Sequence, residues 1–403
     1  MRYYRILIIN QAGEILIPNF EGRPGFTAVP FDTHASTYTS LNSGANPFTQ
    51  GGSNYAAQKL EIDIALTSMD SSLPGSFIRV WGVGLAEIAQ ASNLNGQMVY
   101  IYAGMSRGLP LANPSQSGLI ACGQIFKSFG NWTGVDQTLD IFLTAGGSSP
   151  SSSAVTGQPG QTLAPTTNNA PAAIVFQWQA GQPLLSPLVN TLQTAYPQYS
   201  VVGAVHDGLV WVGAAATGFF YTLSQLATYL RQKSLSIIGG YAPSTEPGSY
   251  PGVSLTLSNN TITVSDGTTQ TTPKQIQFVD LIGQPSWVDS FSVMACCVLR
   301  ADVHVNDYVT LPDNTVGITT AGSNSQYFAP TLGAGVYTSL KTKSIFSGTF
   351  QVIEVRHVGD SRAPDAAAWI TTLKLILAST PVQTVTDLPV IAKAGPNKYG
   401  FSL

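Results

Sequence analysis

The sequence predicts a mainly β protein with two antiparallel β-barrels and a small α/β domain between them. Charged residues make up only 10% of the 403 residues, and 39 Gly and 25 Pro are present. That composition favours strands and long polar loops over helices. Short runs of alternating apolar and polar residues recur along the chain, most clearly in LEIDIAL at 60–66. One stretch, 171–240, departs from this pattern with two helical periodicities.

The first β-barrel domain is predicted at 1–144. It opens with a strand, a turn at Gly13 and Glu14, and a second strand; LEIDIAL and several further strands follow, ending with QTLDIFL. Residues 145–170 contain Gly, Ser and Pro but no charged residue, which predicts a linker.

The middle domain, 171–240, is predicted to have the order β-α-β-β-α-β. Ser186 is a candidate N-cap with Pro187 at the first helical position. A two-residue turn at Asp207 and Gly208 predicts a hairpin. Thr222 begins a capping box before the second helix, and SLSIIGG is predicted to form the closing strand.

The last β domain follows a second Pro/Gly-rich linker at 241–252 and is predicted at 253–378, with a tail at 379–403. It is predicted to begin with a hairpin that turns at Asn259 and Asn260. In FSGTFQVIEVRHV the apolar positions change phase, which predicts a β-bulge near Ile353.

Charge and hydropathy argue against several classes of partner. The formal net charge of −3 offers no basic surface for general nucleic-acid binding. The apolar run Ile6–Ile9 is too short for a signal peptide or a membrane span, so we expect synthesis in the cytoplasm and no membrane binding. Three cysteines form no disulfide framework, and Cys296 and Cys297 would point to opposite faces of a strand, so no metal site or cofactor is predicted.

The two β domains show a weak internal repeat. In the first, SFIRVW leads to a strand that opens at Asn95 and Gly96; in the last, FSVMACCV leads to a strand that opens at Asn306 and Asp307. A long polar loop, a strand, a polar turn and a final alternating strand then follow in each. The order of elements is what repeats.

This order resembles the baseplate hub protein of contractile-tailed bacteriophages. The phrases that carry the resemblance are Gly283–Pro285, LRADVHVNDYVTLP and FSGTFQVIEVRHVGDSR. The resemblance implies two tail-tube-like barrels and a homotrimeric, non-enzymatic ring with pseudo-six-fold symmetry. That ring would join the tail tube, or a tube-initiator protein, to the central spike within the virion tail baseplate, beside other baseplate proteins. Assembly would take place in the host cytoplasm.

The densest polar segment is EVRHVGDSRAPDAAAW at 354–369. The candidate interface or loop-fixing residues are Arg356, His357, Asp360, Arg362 and Asp365. Ser361 lacks the Gly-x-Ser-x-Gly elbow of many hydrolases. We therefore favour a structural role, in which these residues fix the loop or pair across a subunit boundary, over catalysis.

Two other clusters are weaker candidates. Asp302, His304 and Asn306 would share one face of an extended strand and form a possible metal edge, but no further ligand is identifiable. His206 and Asp207 are expected at a hairpin tip.

Two alternative functions stay open at the level of the sequence. A tail-associated peptidoglycan hydrolase would use carboxylates or the His357–Asp365 segment. A host-glycan-binding tail adhesin would use the Tyr, Trp and Asn residues of its loops.

Overall fold

The structure of the protein is a computed structural model. It describes residues 2–10, 12–18, 25–70, 75–106, 113–145, 174–197, 199–239, 250–258, 261–288, 292–312, 349–378 and 383–394.

The N-terminal part of the chain is almost entirely β. Leu60, Ile62 and Ile64 are buried on one face of their strand, as the alternation in LEIDIAL predicts. The elements are β1 (Arg2–Ile9), β2 (Ile15–Pro18), β3 (Phe26–Val29), β4 (Tyr38–Thr39), β5 (Leu60–Thr67), β6 (Ser76–Trp81), α1 (Leu85–Ala89), β7 (Met98–Met105), β8 (Gly118–Thr133) and β9 (Asp136–Ala145).

The middle part contains the two longer helices. The Thr222 hydroxyl caps the second by accepting a hydrogen bond from Gln225 N at 3.2 Å, as predicted. The elements are β10 (Ile174–Trp178), α2 (Leu185–Ala195), β11 (Ser200–Ala204), β12 (Ala216–Phe220), α3 (Leu223–Ser234), β13 (Ser254–Ser258) and β14 (Thr261–Ser265). Among the described residues, the helices are too short and too polar to cross a bilayer.

The C-terminal part returns to strands. They are β15 (Thr269–Thr271), β16 (Lys274–Gln275), β17 (Ser286–Trp287), β18 (Ser292–Val298), β19 (Tyr308–Thr310), β20 (Thr349–Asp360), β21 (Trp369–Leu377), β22 (Gln383–Val385) and β23 (Val390–Ala392). The mainly β class with a small α/β region is thereby confirmed.

One continuous sheet contains strands from both ends of the chain. Its order is β17-β18-β21-β20-β5-β6-β9-β8-β7-β1-β2-β3. The two β domains meet where β5 pairs with β20, antiparallel, from Glu61 opposite Asp360 to Thr67 opposite Glu354. Because this edge of the first domain pairs with β20, the path of the described strands is open and does not close into two separate barrels.

The first eight strands in this order form two successive four-stranded units. The first is β5-β6-β9-β8, and the second is β17-β18-β21-β20. All neighbours within both units are antiparallel. Two further strands, β7 and β19, pair with the beginnings of β8 and β20. The order of elements that repeats in the sequence is therefore also repeated in space.

The repeat extends to local irregularities. The predicted bulge lies on β20 between Val352 and Glu354, and β8 has a matching bulge between Ile125 and Lys127. Just before the bulge, each unit makes an equivalent backbone hydrogen bond. Gly96 N donates to Ile125 O at 2.7 Å, and Asn306 N donates to Val352 O at 2.8 Å. Gly96 has φ +83° and Asn306 φ +72°. Asn is among the few other residues that adopt this region, so both units keep the same turn.

The hydrophobic cores divide differently from the predicted domains. The hairpin β13–β14 was assigned to the last β domain, but Leu255 and Ile262 are buried in the core of the middle part. There β14 pairs in parallel with β11. Trp369 lies by sequence in the last domain, yet it is buried in the core of the first.

Three local predictions for the middle part were wrong. The turn at Asp207 and Gly208 does not join two paired strands, because Leu209 O accepts from Leu184 N at 2.9 Å and the chain after β11 runs beside that segment. Helix α2 begins at Leu185, so Ser186 is not its N-cap. SLSIIGG is not a strand, because Leu235–Gly239 continues α3 as a π-helical turn.

Trp369 ties the two β domains together, and its removal should be costly. Its side chain is fully buried, and its Nε1 donates to Gly104 O at 2.9 Å. We expect Trp369→Ala to lower the free energy of unfolding by about 3–5 kcal/mol, since it removes a buried ring and leaves a cavity. Denaturant unfolding measures the change. Tyr55→Ala is the control, because Tyr55 is 84% exposed, and an equal loss in both variants would contradict the assignment.

Candidate functional site

The polar segment 354–369 lies at the joint between the two β domains. It comprises the end of β20, a turn, the 3₁₀ helix Ala366–Ala368 and the start of β21. Because successive strand residues point to opposite faces, Arg356 lies on the outer face of the sheet and His357 on the core face. The sequence-predicted residues are therefore divided between two environments.

On the outer face, Arg356 forms a bidentate ion pair with Asp63 of β5. Its Nε lies 2.8 Å from Asp63 Oδ1, and its second terminal nitrogen lies 2.6 Å from Oδ2. The hydrogen bonds that the guanidinium donates to Asp63 raise the pKa of Arg356. Half of the Arg356 side chain is exposed, so the pair is screened by water and stabilises the joint only weakly.

A chain of charged groups continues across the outer face from this joint. Lys59 Nζ lies 2.8 Å from Glu61 and 3.0 Å from Asp360. Hydrogen bonding to Glu61 raises the pKa of Lys59. Arg79 follows, 4.0 Å from Glu61, and donates to Asp140 at 2.6 and 2.9 Å. Positive and negative groups alternate, so the charges of this face are largely compensated within the chain.

Asp360 also shapes the turn after β20. Its Oδ1 accepts from the backbone N–H groups of Arg362 at 2.9 Å and Ala363 at 3.1 Å. Partial burial raises the pKa of this carboxyl, but these N–H groups and Lys59 outweigh burial, and the net pKa lies below its ordinary value. An ionised Asp360 therefore holds the turn at neutral pH.

Two arginines connect this turn to the first β domain. The Arg362 guanidinium donates to Ala57 O, which precedes β5. Arg2, at the start of β1, donates to the backbone carbonyls of Asp360 and Asp365. Asp365 accepts from Ala367 N at 2.9 Å and so caps the short 3₁₀ helix. Arg2 was not identified from the sequence, because the contact spans nearly the whole chain and leaves no local pattern.

His357 lies in the core and is shielded from solvent. It is 1% exposed, and its Nδ1 lies 2.9 Å from the Thr371 hydroxyl of β21. Burial, together with a smaller contribution from nearby His304, lowers the pKa of His357 to about 3. The imidazole is thus neutral at physiological pH and has no route to an external substrate.

A buried charge network next to His357 was missed by the sequence interpretation. Arg300 is 3% exposed and donates to both carboxylate oxygens of Asp302 at 2.7 Å. It also donates to Asp280 at 3.2 Å, and Gln116 from the first β domain donates to the same carboxylate at 3.1 Å. Burial lowers the pKa of Arg300, but its hydrogen bonds and charge attraction to Asp302 outweigh burial, and the net pKa is raised. The sequence signal that could have indicated this ion pair is the Arg-x-Asp spacing of Arg300 and Asp302 in LRAD.

The possible metal edge does not form. Asp302, His304 and Asn306 lie in an irregular turn instead of on one strand face, because Asp302 pairs with Arg300 and the positive φ of Asn306 bends the chain. Across the described residues, no group of three metal-ligating side chains comes together. His206 lies next to Gly208, whose N–H donates to its Nδ1 at 2.9 Å.

The polar groups of the segment are engaged in structural contacts. Ser361 Oγ accepts from Leu60 N at 2.9 Å, which extends the pairing of β5 with β20 by one residue. Of the five predicted residues, Asp360, Arg362 and Asp365 are brought together at the turn, whereas Arg356 and His357 are held apart by the sheet. This arrangement can hold the two β units together. A contribution of these five residues to a subunit boundary stays a prediction.

The buried histidine predicts a pH dependence of stability. In the unfolded chain a histidine titrates near its ordinary pKa of about 6.5. Between that value and about 3, the unfolded chain binds a proton that folded His357 does not, so stability falls as the pH is lowered through this window. We expect His357→Asn, which keeps a polar atom near Thr371 but cannot titrate, to show a shallower loss.

Unfolding by urea at a series of pH values from 7 to 4 measures this difference. His34→Gln is the matched control, because His34 lies on an exposed loop. Equal pH slopes in the wild type and His357→Asn would contradict the prediction.

The two arginines of the joint should differ in their importance for stability. We expect Arg300→Met to destabilise the fold by about 3–5 kcal/mol, because it leaves a buried carboxylate without its partner. Arg356→Met should cost at most about 1 kcal/mol, because that pair is half exposed. Denaturation midpoints of the two variants test the order, and a larger loss for Arg356→Met would reverse it.

Comparison with solved structures finds tail proteins. The chain is similar to the 43 kDa tail protein of prophage MuSo2 from Shewanella oneidensis, with 8% identity, a TM-score of 0.41, and coverage of 80% of this chain and 98% of that one. It is also similar to the tail protein from Neisseria meningitidis MC58, with 10% identity, a TM-score of 0.41, and coverage of 81% and 99%.

A third similar structure is the lidded PdpA–VgrG complex of Francisella, with 8% identity, a TM-score of 0.42, and coverage of 97% of this chain and 54% of that one. No protein-family profile and no curated protein sequence matches the chain.

Proposed function

We propose that the protein is a structural component of a bacteriophage tail baseplate, where it forms the hub as a homotrimeric ring. The observation that carries the proposal is the presence of two equivalent four-stranded units, joined edge to edge into one sheet within a single chain. A chain built in this way is a pre-assembled pair of ring segments.

The symmetry of such a ring follows from counting its units. Three copies of a chain with two equivalent units would place six similar units around an axis. One side of the ring could then match a six-fold tail tube or tube-initiator protein, while the three-fold symmetry of the chains matches a central spike. The middle part occurs once per chain and would follow the three-fold symmetry, as would contacts to other baseplate proteins.

The surface chemistry supports a role in assembly. Charged residues make up only 10% of the chain, and the charges near the joint compensate one another within it. Stable interfaces are depleted in charged residues at their centres, so this composition suits a protein that buries much of its surface against neighbours.

The contacts of segment 354–369 support a non-enzymatic role. A hydrolase would need an exposed base near an activated nucleophile. His357 is buried against Thr371, and the Ser361 hydroxyl accepts from Leu60 N. Asp360 is neutralised by Lys59 and by backbone N–H groups. These groups are used to hold the joint.

Native mass spectrometry and imaging of the purified full-length chain test the proposal. We expect a species of three copies, and class averages of a ring with six similar units around its axis. In intact particles, the chain should be located at the tail axis between tube and spike. A monomer at all accessible concentrations, or a position away from the tail axis, would contradict it.

A further inference from the structure

The pairing of β5 with β20 has no complete counterpart in the first unit, where the strand equivalent to β20 is β8 and one edge of its Lys127–Thr133 stretch is unpaired among the described strands. After its bulge, β20 pairs on one side with β21 and on the other with β5, through Glu354–Asp360. The equivalent residues of β8, Lys127–Thr133, pair with β9 on one side. Within the part of the chain that the structure describes, no strand pairs with their other edge. The first unit therefore ends in an open strand edge at the position where the second unit is closed by β5.

The outermost strand of the second unit, β17, offers a matching open edge. The strand that corresponds to β5 in the second unit is β17, since β5 pairs with β6 and β17 with β18. Among the described strands, β17 pairs only with β18, whereas β5 is paired on both sides. The two consecutive four-stranded units thus end on one side with the Lys127–Thr133 stretch of β8, which is equivalent to β20, and on the other with β17, which is equivalent to β5.

The register of the repeat specifies which residues would meet. Phe77 of the first unit corresponds to Met294 of the second, and their partners on β5 and β17 are Asp63 and Ser286. Inside the chain, Asp63 lies opposite Val358 on β20.

Val358 is four residues beyond Glu354, the first paired residue after its bulge, and the same count from Lys127 on β8 gives Asn131. The repeat therefore pairs Asn131 with Ser286.

Side-chain exposure is unusual at both edges. Trp287 is 48% exposed, although Ile64 at the equivalent position of β5 is fully buried in the intrachain joint. Val288, beside it, is also 48% exposed, and Trp132 on the β8 edge is 62% exposed. The edge sequence KSFGNWT contains one charged residue, Lys127. Natural proteins usually protect open edges with charges, prolines or a covering element, so open edges with a single charge and exposed tryptophans indicate a partner.

We propose that the open edge of β8, Lys127–Thr133, pairs antiparallel with β17 of a second copy of this chain, with Asn131 opposite Ser286. This contact repeats between chains the joint that β20 and β5 make within one chain. It is heterologous, because each copy offers β8 to one neighbour and β17 to the other, and such contacts form a ring when the rotation between successive copies closes. The inference rests on the proposed function for the closure of the ring at three copies, but not for the pairing itself.

The two joints differ in chemistry. The intrachain joint carries the ion pair Arg356–Asp63, whereas the corresponding positions of the interchain joint are Phe129 and Ser286. Phe129 would lie opposite Val288, an aromatic and β-branched pair that stabilises antiparallel strands. Pro285 has no N–H, so the interchain ladder loses a donor beyond Ser286. The contact between copies is thus shorter and more apolar than the one within the chain.

Disulfide trapping between two separately purified variants tests the pairing. Asn131→Cys and Ser286→Cys would each be made in full-length chains carrying Cys296→Ala, because Cys296 is the native cysteine that is not fully buried. One variant carries a size tag, and the reduced proteins are mixed and then oxidised. We expect a product that contains one chain of each kind, because cysteines opposite each other in neighbouring antiparallel strands can form a disulfide.

The matched control replaces Ser286→Cys by Met294→Cys. Met294 is 40% exposed but lies one strand further from the joint, so its mixture with Asn131→Cys should not yield the mixed product. Equal yields in both mixtures would overturn the proposed register.

The outcomes separate this inference from the proposed function. A three-copy ring that gives no Asn131–Ser286 product would overturn the joint and leave the hub role standing. The mixed product in a ring of another copy number would support the joint and contradict the trimer. A chain that remains monomeric and gives no product would contradict both.

Discussion

The antiparallel pairing of β5 with β20 is the interaction on which the rest of the structure depends. It joins residues 61–67 to residues 354–360 and converts two sheets into one. Further contacts join the β domains: Trp369 reaches Gly104, Gln116 reaches Asp280, and Arg2 reaches the turn after β20. Without the strand pairing, the Arg300 guanidinium and the Trp369 ring would lose part of the surroundings that bury them. Leaving such groups unpaired or uncovered is costly.

The sheet separates its polar groups by face. On the outer face, charges are paired and partly hydrated, so each pair adds little stability but restricts register. On the core face, His357, Thr371 and Arg300 form a polar cluster that is closed to water. The cost of burying this cluster is limited because the histidine stays neutral and the arginine is paired with two carboxylates. Proximity of charged residues in the sequence therefore did not mean a shared site.

The two four-stranded units keep their backbone and change their side chains. Gly96 and Asn306 hold the same left-handed turn, and the bulges of β8 and β20 lie at matching positions. Close packing also constrains the joint, since a Cβ at Gly359 would lie 2.5 Å from the Trp369 ring. The units differ most at their edges: the pairing of β5 with β20 carries the Arg356–Asp63 ion pair, whereas β17 and the Lys127–Thr133 stretch of β8 carry exposed tryptophans. This difference is expected if one edge is satisfied during folding and the other during assembly.

By itself, the sequence determined the features that depend on near neighbours: the buried face of Leu60–Leu66, the cap at Thr222, the bulge near Ile353 and the repeated order of strands. Each follows from side-chain periodicity or from a bond within a few residues. Only the tertiary structure decided that β11 pairs with β14, that Leu235–Gly239 is helical, and that Arg356 meets Asp63 across 293 residues. The physical reason is that alternation specifies which face of a strand is buried but not which strand lies beside it.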